Sequence, residues 1–127
     1  MNAALQRNRY VTDTVETLPP ARLVTMLYDA LVSDLMLAEQ AIGRGDRDVT
    51  NARLLRAQDI VLELRSSLDV TKWDGGPGLA ALYAFLLTEL ISANVANDAG
   101  KVASCRTLVE PLRDAWHQAA MAVAAMA

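Results

Sequence analysis

The stretch from Leu79 to Ala96, LAALYAFLLTELISANVA, limits the folds open to this chain more than any other. Glu89 is its only charge. At about 100° per residue, Leu79, Leu82, Tyr83, Leu86, Leu90 and Ala93 fall on one stripe of a helix. A helix lying against a single core needs only that stripe. Ala80, Ala84, Leu87, Ile91 and Val95 form a second stripe beside it, and Thr88, Glu89 and Ser92 mark the more polar remainder. A helix with two apolar stripes is either buried on several sides or keeps one of them for something else. The run is nearly long enough to span a bilayer. Glu89 lies inside it, however, and Ser92 and Asn94 interrupt it, which lipid does not favour. No membrane insertion is expected.

The rest of the chain also has helical period. Pro19-Pro20 opens a first helix, since proline suits the first turn, where its missing N–H is not needed. Leu23, Leu27, Ala30, Leu31, Ala38, Ala41 and Ile42 share its inner face, and Asp34 falls among them. A carboxylate at such a place requires a cationic partner; Arg53 and Arg56 are the candidates. In the second helix Ala57, Ile60, Val61, Leu64 and Leu68 form the core face, while Leu55 and Leu62 lie on nearly the opposite side. TKWDGGPG reads as a loop. The fourth helix places Cys105, Leu108, Val109, Leu112, Ala115, Trp116, Ala119 and Val123 on one face, and Pro111 is expected to kink or locally break it. Tyr28, Tyr83 and Trp116 occupy positions where aromatic rings pack.

No strand pattern and no repeat period appears. The expectation is an all-α, antiparallel up-down four-helix bundle over residues 19–127, with helices near 20–43, 48–70, 78–98 and 100–124. Residues 1–18 are too sparsely apolar for a bundle helix. Leu5, Tyr10, Val11, Val15 and Leu18 could still dock on a larger apolar surface.

Composition narrows the function. The formal charge is −3, with both signs mixed along the chain, whereas a nucleic-acid binder shows a basic stripe. One histidine, His117, and one cysteine, Cys105, cannot build a zinc site or a di-iron bundle site in the usual way. His117 reads as a surface residue and Cys105 as a small packed one. The glycine-rich loop lacks the lysine and Ser/Thr of a P-loop. No enzyme activity, cofactor or metal is expected. A lone cysteine and an N-terminus without an apolar h-region point to a reducing cytoplasm. What remains is binding: an apolar surface in excess of the core's needs suits helix-in-groove recognition. Self-association would use the same residues.

Taken together, the landmarks resemble the FliS family of flagellin export chaperones. Tyr10 stands where the family has its N-terminal tyrosine. Pro20-Ala-Arg-Leu-Val-Thr-Met-Leu-Tyr-Asp29 resembles its entry to helix one. Asn51, Ala57, Ile60, Leu64, Ser67, Leu68 and Asp69 are similar to its second helix, and Gly75-Gly76 to its glycine pair. Leu82-Tyr83, Leu90, Ala93-Asn94 and Asn97-Asp98 resemble its third helix, and Trp116 its fourth. Departures are Arg7 for an apolar residue, Ala84 for a common aspartate, Pro77-Gly78 for a more helical pair and Pro19 for a serine cap. The resemblance implies a cytoplasmic chaperone, a monomer or weak homodimer. It would bind the disordered C-terminal segment of flagellin, prevent premature polymerisation and aid delivery to the flagellar type III export apparatus. It also implies that residues 1–18 cap part of the binding surface and contribute to docking at the export gate. With the surplus stripes, it places candidate partner-binding positions at Tyr10, Leu55, Leu62, Ala80, Ala84, Leu87, Ile91, Asn94 and Val95. The alternative is a helical homo-oligomer without a flagellin client.

Overall fold

A computed structural model describes residues 20–72 and 74–126. They form four helices: α1 Pro20–Gly43, α2 Arg47–Ser67, α3 Gly76–Ala96 and α4 Ala99–Met126. Among the described residues there is no strand. Each helix packs on the next, and α4 closes the ring against α1. Short connections reverse the chain at each step, which gives the antiparallel up-down bundle. The α1–α2 and α1–α4 interfaces are the most extensive, and the α3–α4 seam is the thinnest.

Local chemistry sets the helix ends. After α1 the chain turns through Gly45 at φ +74°, a backbone conformation that suits glycine. The Asp46 side chain then caps α2, accepting from the Val49 N–H at 3.1 Å, which satisfies a donor the helix cannot. α3 stops at Asn97, which takes the left-handed conformation at φ 53°. Asp98 Oδ1 accepts from the Lys101 N–H at 3.1 Å and starts α4.

The α2–α3 connection differs from the sequence expectation at both its ends. α2 ends at Ser67 and not near residue 70, and α3 begins at Gly76 and not near 78. Leu68 is already extended. Asp69 then folds a local turn, its Oδ1 accepting from the Thr71 N–H at 2.9 Å and the Thr71 hydroxyl at 2.6 Å. Such an Asp competes with the helix for its own backbone. At Gly76 a Cβ would sit 2.8 Å from both the Cα and the carbonyl oxygen of Val70. Glycine lets the first turn of α3 lie against that backbone. The expected break at Pro111 does not occur, and α4 runs on as helix to Met126. Pro111 and Thr107 both lie on the exposed side, where water can replace the one donor that proline removes.

The core draws on all the helices: Tyr28, Leu31 and Leu35 from α1, Leu54 and Val61 from α2, Leu86 and Leu90 from α3, Val102 and Val109 from α4. One polar contact crosses it. The Tyr28 and Tyr83 hydroxyls meet at 2.7 Å, joining α1 to α3 across the ring. Trp116 tilts against Tyr28 with ring centroids 6.4 Å apart. Burial pushes both phenols above their ordinary range. Asp34 is almost fully buried and pairs as expected with Arg53 Nη1 at 3.0 Å and Arg56 Nε at 3.4 Å. Arg106 bridges Glu39 of α1 and Glu110 of its own helix. Several residues expected on inner faces lie further out, Ala115 and Ala119 of α4 among them, both exposed. Leu82 is half-buried at the edge of the core. Leu108 is exposed, because the thin α3–α4 seam does not cover it.

Candidate partner-binding surface

One hydrogen bond decides which flanks of α2 and α3 face each other. Asn94 Nδ2 donates to Asn51 Oδ1 at 2.8 Å. At about 100° per residue, Leu55 and Leu62 share the flank of α2 that carries Asn51. By the same turn angle Ala80, Leu87 and Ile91 share the flank of α3 that carries Asn94, with Ala84 and Val95 a little further out. The surplus stripes of two helices therefore border a common seam.

That seam is apolar and open. Leu55 is 47% exposed, Leu62 41%, Ile91 51% and Val95 83%. Ala84 is exposed and Ala80 half-buried. Leu87 is half-buried and packs against the core, so it forms the floor more than the rim. Asn94 is buried and engaged by Asn51. Its place is within the wall, where it can position a neighbour. Polar rungs close one end of the seam: Arg47 Nη1 donates to Asn97 Oδ1 at 3.3 Å, one turn beyond the asparagine pair. Tyr10 lies outside the described residues.

The other flank of α3 holds a feature that the sequence reading did not include. Phe85, Glu89, Ser104, Cys105, Thr107 and Leu108 line a shallow depression of about 280 Å³ between α3 and α4. Phe85 and Leu108 are both large and exposed. Lys101 closes one side, reaching the Ser92 hydroxyl at 3.0 Å and the Glu89 carboxylate at 3.8 Å. The signal was present at Phe85, an aromatic residue among Thr88, Glu89 and Ser92 on the polar side of the helix. Cys105 forms the floor. Burial, helped by the Glu89 charge, pushes its thiol up to about 11, so it is a protonated packing residue and no nucleophile at neutral pH.

His117 Nε2 lies 2.8 Å from Asp29 Oδ1 on the α1–α4 surface. Among the described residues, no group of three or more His, Cys, Asp or Glu could hold a metal ion. By length and composition alone α3 could cross a membrane. In the bundle its central stripe is core, and its apolar excess lies on the two flanks.

Comparison with known proteins gives this surface a setting. A family model described as flagellar protein FliS matches residues 1–123. A flagellar secretion chaperone FliS of Bacillus subtilis (strain 168) is 34% identical over 110 residues, covering 87% of this chain and 82% of that protein. The protein of the same description from Escherichia coli (strain K12) is 31% identical over 110 residues, covering 85% and 81%. One from Vibrio cholerae is 28% identical over 123 residues, covering 93% and 89%.

Proposed function

Because the chain belongs to the FliS family of flagellar secretion chaperones, we propose that it binds the disordered C-terminal segment of flagellin in the cytoplasm. By covering that segment it keeps flagellin from polymerising early and aids its delivery to the flagellar type III export apparatus. The observation that carries this reading is the apolar α2–α3 seam, left open beside a core that is already complete. A disordered client loses chain entropy when it folds on binding, and large apolar burial must offset that loss. Leu55, Leu62, Leu87 and Ile91 offer such burial along one continuous strip. Residues 1–18, with Tyr10, are proposed to shield part of the strip and to contribute to docking at the export gate.

Ile91→Asp tests the strip. Losing one buried isoleucine contact is worth about 1.5–3 kcal/mol, so flagellin capture should weaken at least about tenfold. Helicity and melting should change little, because Ile91 stands at the rim. Leu87→Asp should weaken capture too, with some loss of stability from its contact with the core. Calorimetry with purified flagellin reads both. Unchanged affinity in a fully helical Ile91→Asp protein removes the strip from the binding surface. Self-association through the same strip is the competing outcome. Light scattering that finds a tight oligomer indifferent to flagellin would establish it in place of the chaperone reading.

A further inference from the structure

The polar rung at the end of the apolar strip has a chemistry the strip itself lacks. Asn51 is exposed, yet its side chain is not free to rotate, because buried Asn94 Nδ2 holds its Oδ1 at 2.8 Å. That bond leaves the Asn51 Nδ2 donors without a partner among the described residues, and one lone pair of Oδ1 unused. Asn94 gives up a good deal to make the arrangement. Its own Oδ1 is buried with no hydrogen-bond partner, an expensive state that usually has a reason outside local stability. A leucine pair at this level would have continued the strip and avoided the orphan atom.

We infer that Asn51, clamped by Asn94, hydrogen-bonds the backbone of the bound segment and so requires that part of the segment to be extended. A primary amide presents a donor and an acceptor side by side, the same pair that an extended peptide unit presents. A helix has nothing to give such a group except at its ends, since its backbone is satisfied internally. Along the strip toward Leu55, Leu62 and Ile91 only side chains can be recognised. At the asparagine rung the backbone itself is read, whatever its side chains. Asn51 is thus a specificity residue and Asn94 the positioning residue behind it. This rests on the client reading above.

The experiment is a calorimetric titration of the full-length chain and its Asn51→Ala variant with a synthetic flagellin C-terminal segment. A second set of segments carries an ester in place of one backbone amide at successive positions. Asn51→Ala should bind about three- to tenfold more weakly, the range of one net hydrogen bond. Its melting temperature should also fall, because buried Asn94 Nδ2 loses its partner, so the ester series is the deciding readout. One ester position should weaken binding to the wild-type chain and have no effect with Asn51→Ala. A purely structural rung would lower the melting temperature equally but leave every ester position equal in the two proteins. Equal affinities of wild type and Asn51→Ala, or an ester profile indifferent to the substitution, overturn the asparagine reading alone. No binding by the wild-type chain overturns the client reading, and this one with it.

Discussion

Removing one hydroxyl from the Tyr28–Tyr83 pair should cost more than removing both. The two rings are buried, and their hydroxyls meet at 2.7 Å across the diagonal of the bundle. Tyr28→Phe strips Tyr83 of the one partner its hydroxyl has among the described residues. A buried polar group left without a partner costs about 1–3 kcal/mol, so about 2 kcal/mol is expected. Tyr83→Phe should cost a similar amount, about 2 kcal/mol, because it strips the buried Tyr28 hydroxyl of its partner in turn. The double variant leaves a phenyl pair of nearly the same shape with no orphan hydroxyl. It should cost less than either single variant.

Urea unfolding followed by circular dichroism measures all three, and the double-mutant cycle isolates the coupling. For a chain of this size each kcal/mol corresponds to roughly 4 °C in melting temperature. Tyr28→Phe and Tyr83→Phe should therefore each melt about 8 °C lower. Additive losses in the double variant would refute the reasoning. They would mean that each hydroxyl is satisfied independently and that the diagonal bond carries no coupling.

Two further expectations follow from single sites. Gly76→Ala places a Cβ 2.8 Å from the Val70 backbone and should cost on the order of 2 kcal/mol in thermal or urea unfolding; Gly78→Ala meets nothing within 4 Å and should stay within about 0.5 kcal/mol of wild type, so equal losses would sink the clearance argument. The buried Cys105 thiol keeps its proton to about 11 against an ordinary 9.0, so the folded state holds that proton more tightly than the unfolded one. Its contribution is complete below about pH 9 and is lost as pH rises through about 11; Cys105→Ala should flatten part of the alkaline stability loss, the rest belonging to the two raised tyrosines.

Much of the fold could be read from the chain, for reasons that can be named. The bundle follows from helical period repeated between breakers. The partner of Asp34 was legible because a carboxylate on an apolar face demands a cation, and Arg53 and Arg56 stood at the right place on the next helix. Helix ends were less legible. Asp69 and Gly76 decide them through a side-chain turn and a clearance to Val70, neither of which has a period. The same limit applied to surfaces. A wheel assigns directions without naming neighbours, so Leu108 read as core and Phe85 went unassigned, though both border one depression. The candidate strip became a single surface only when the Asn51–Asn94 bond showed which flanks of α2 and α3 adjoin.

The distribution of polar ties explains how α3 can carry so much unused apolar surface without loosening the bundle. α1 is fixed to both neighbours by polar side-chain contacts: Asp34 to Arg53 and Arg56 of α2, and Glu39 and Asp29 to Arg106 and His117 of α4. The ties of α3 gather near its C-terminal end, at Glu89, Ser92, Asn94 and the Asn97 cap. Its N-terminal half is held by apolar packing and by Tyr83. Order is therefore imposed from the α1 side, while among the described residues the N-terminal half of α3 keeps both flanks clear of fixed side-chain pairs that a bound segment would have to displace. Rim substitutions on α3, such as Ile91→Asp, should separate binding from stability. Substitutions at Asp34 or Tyr28 should not, because there the same side chains hold the scaffold that presents the strip.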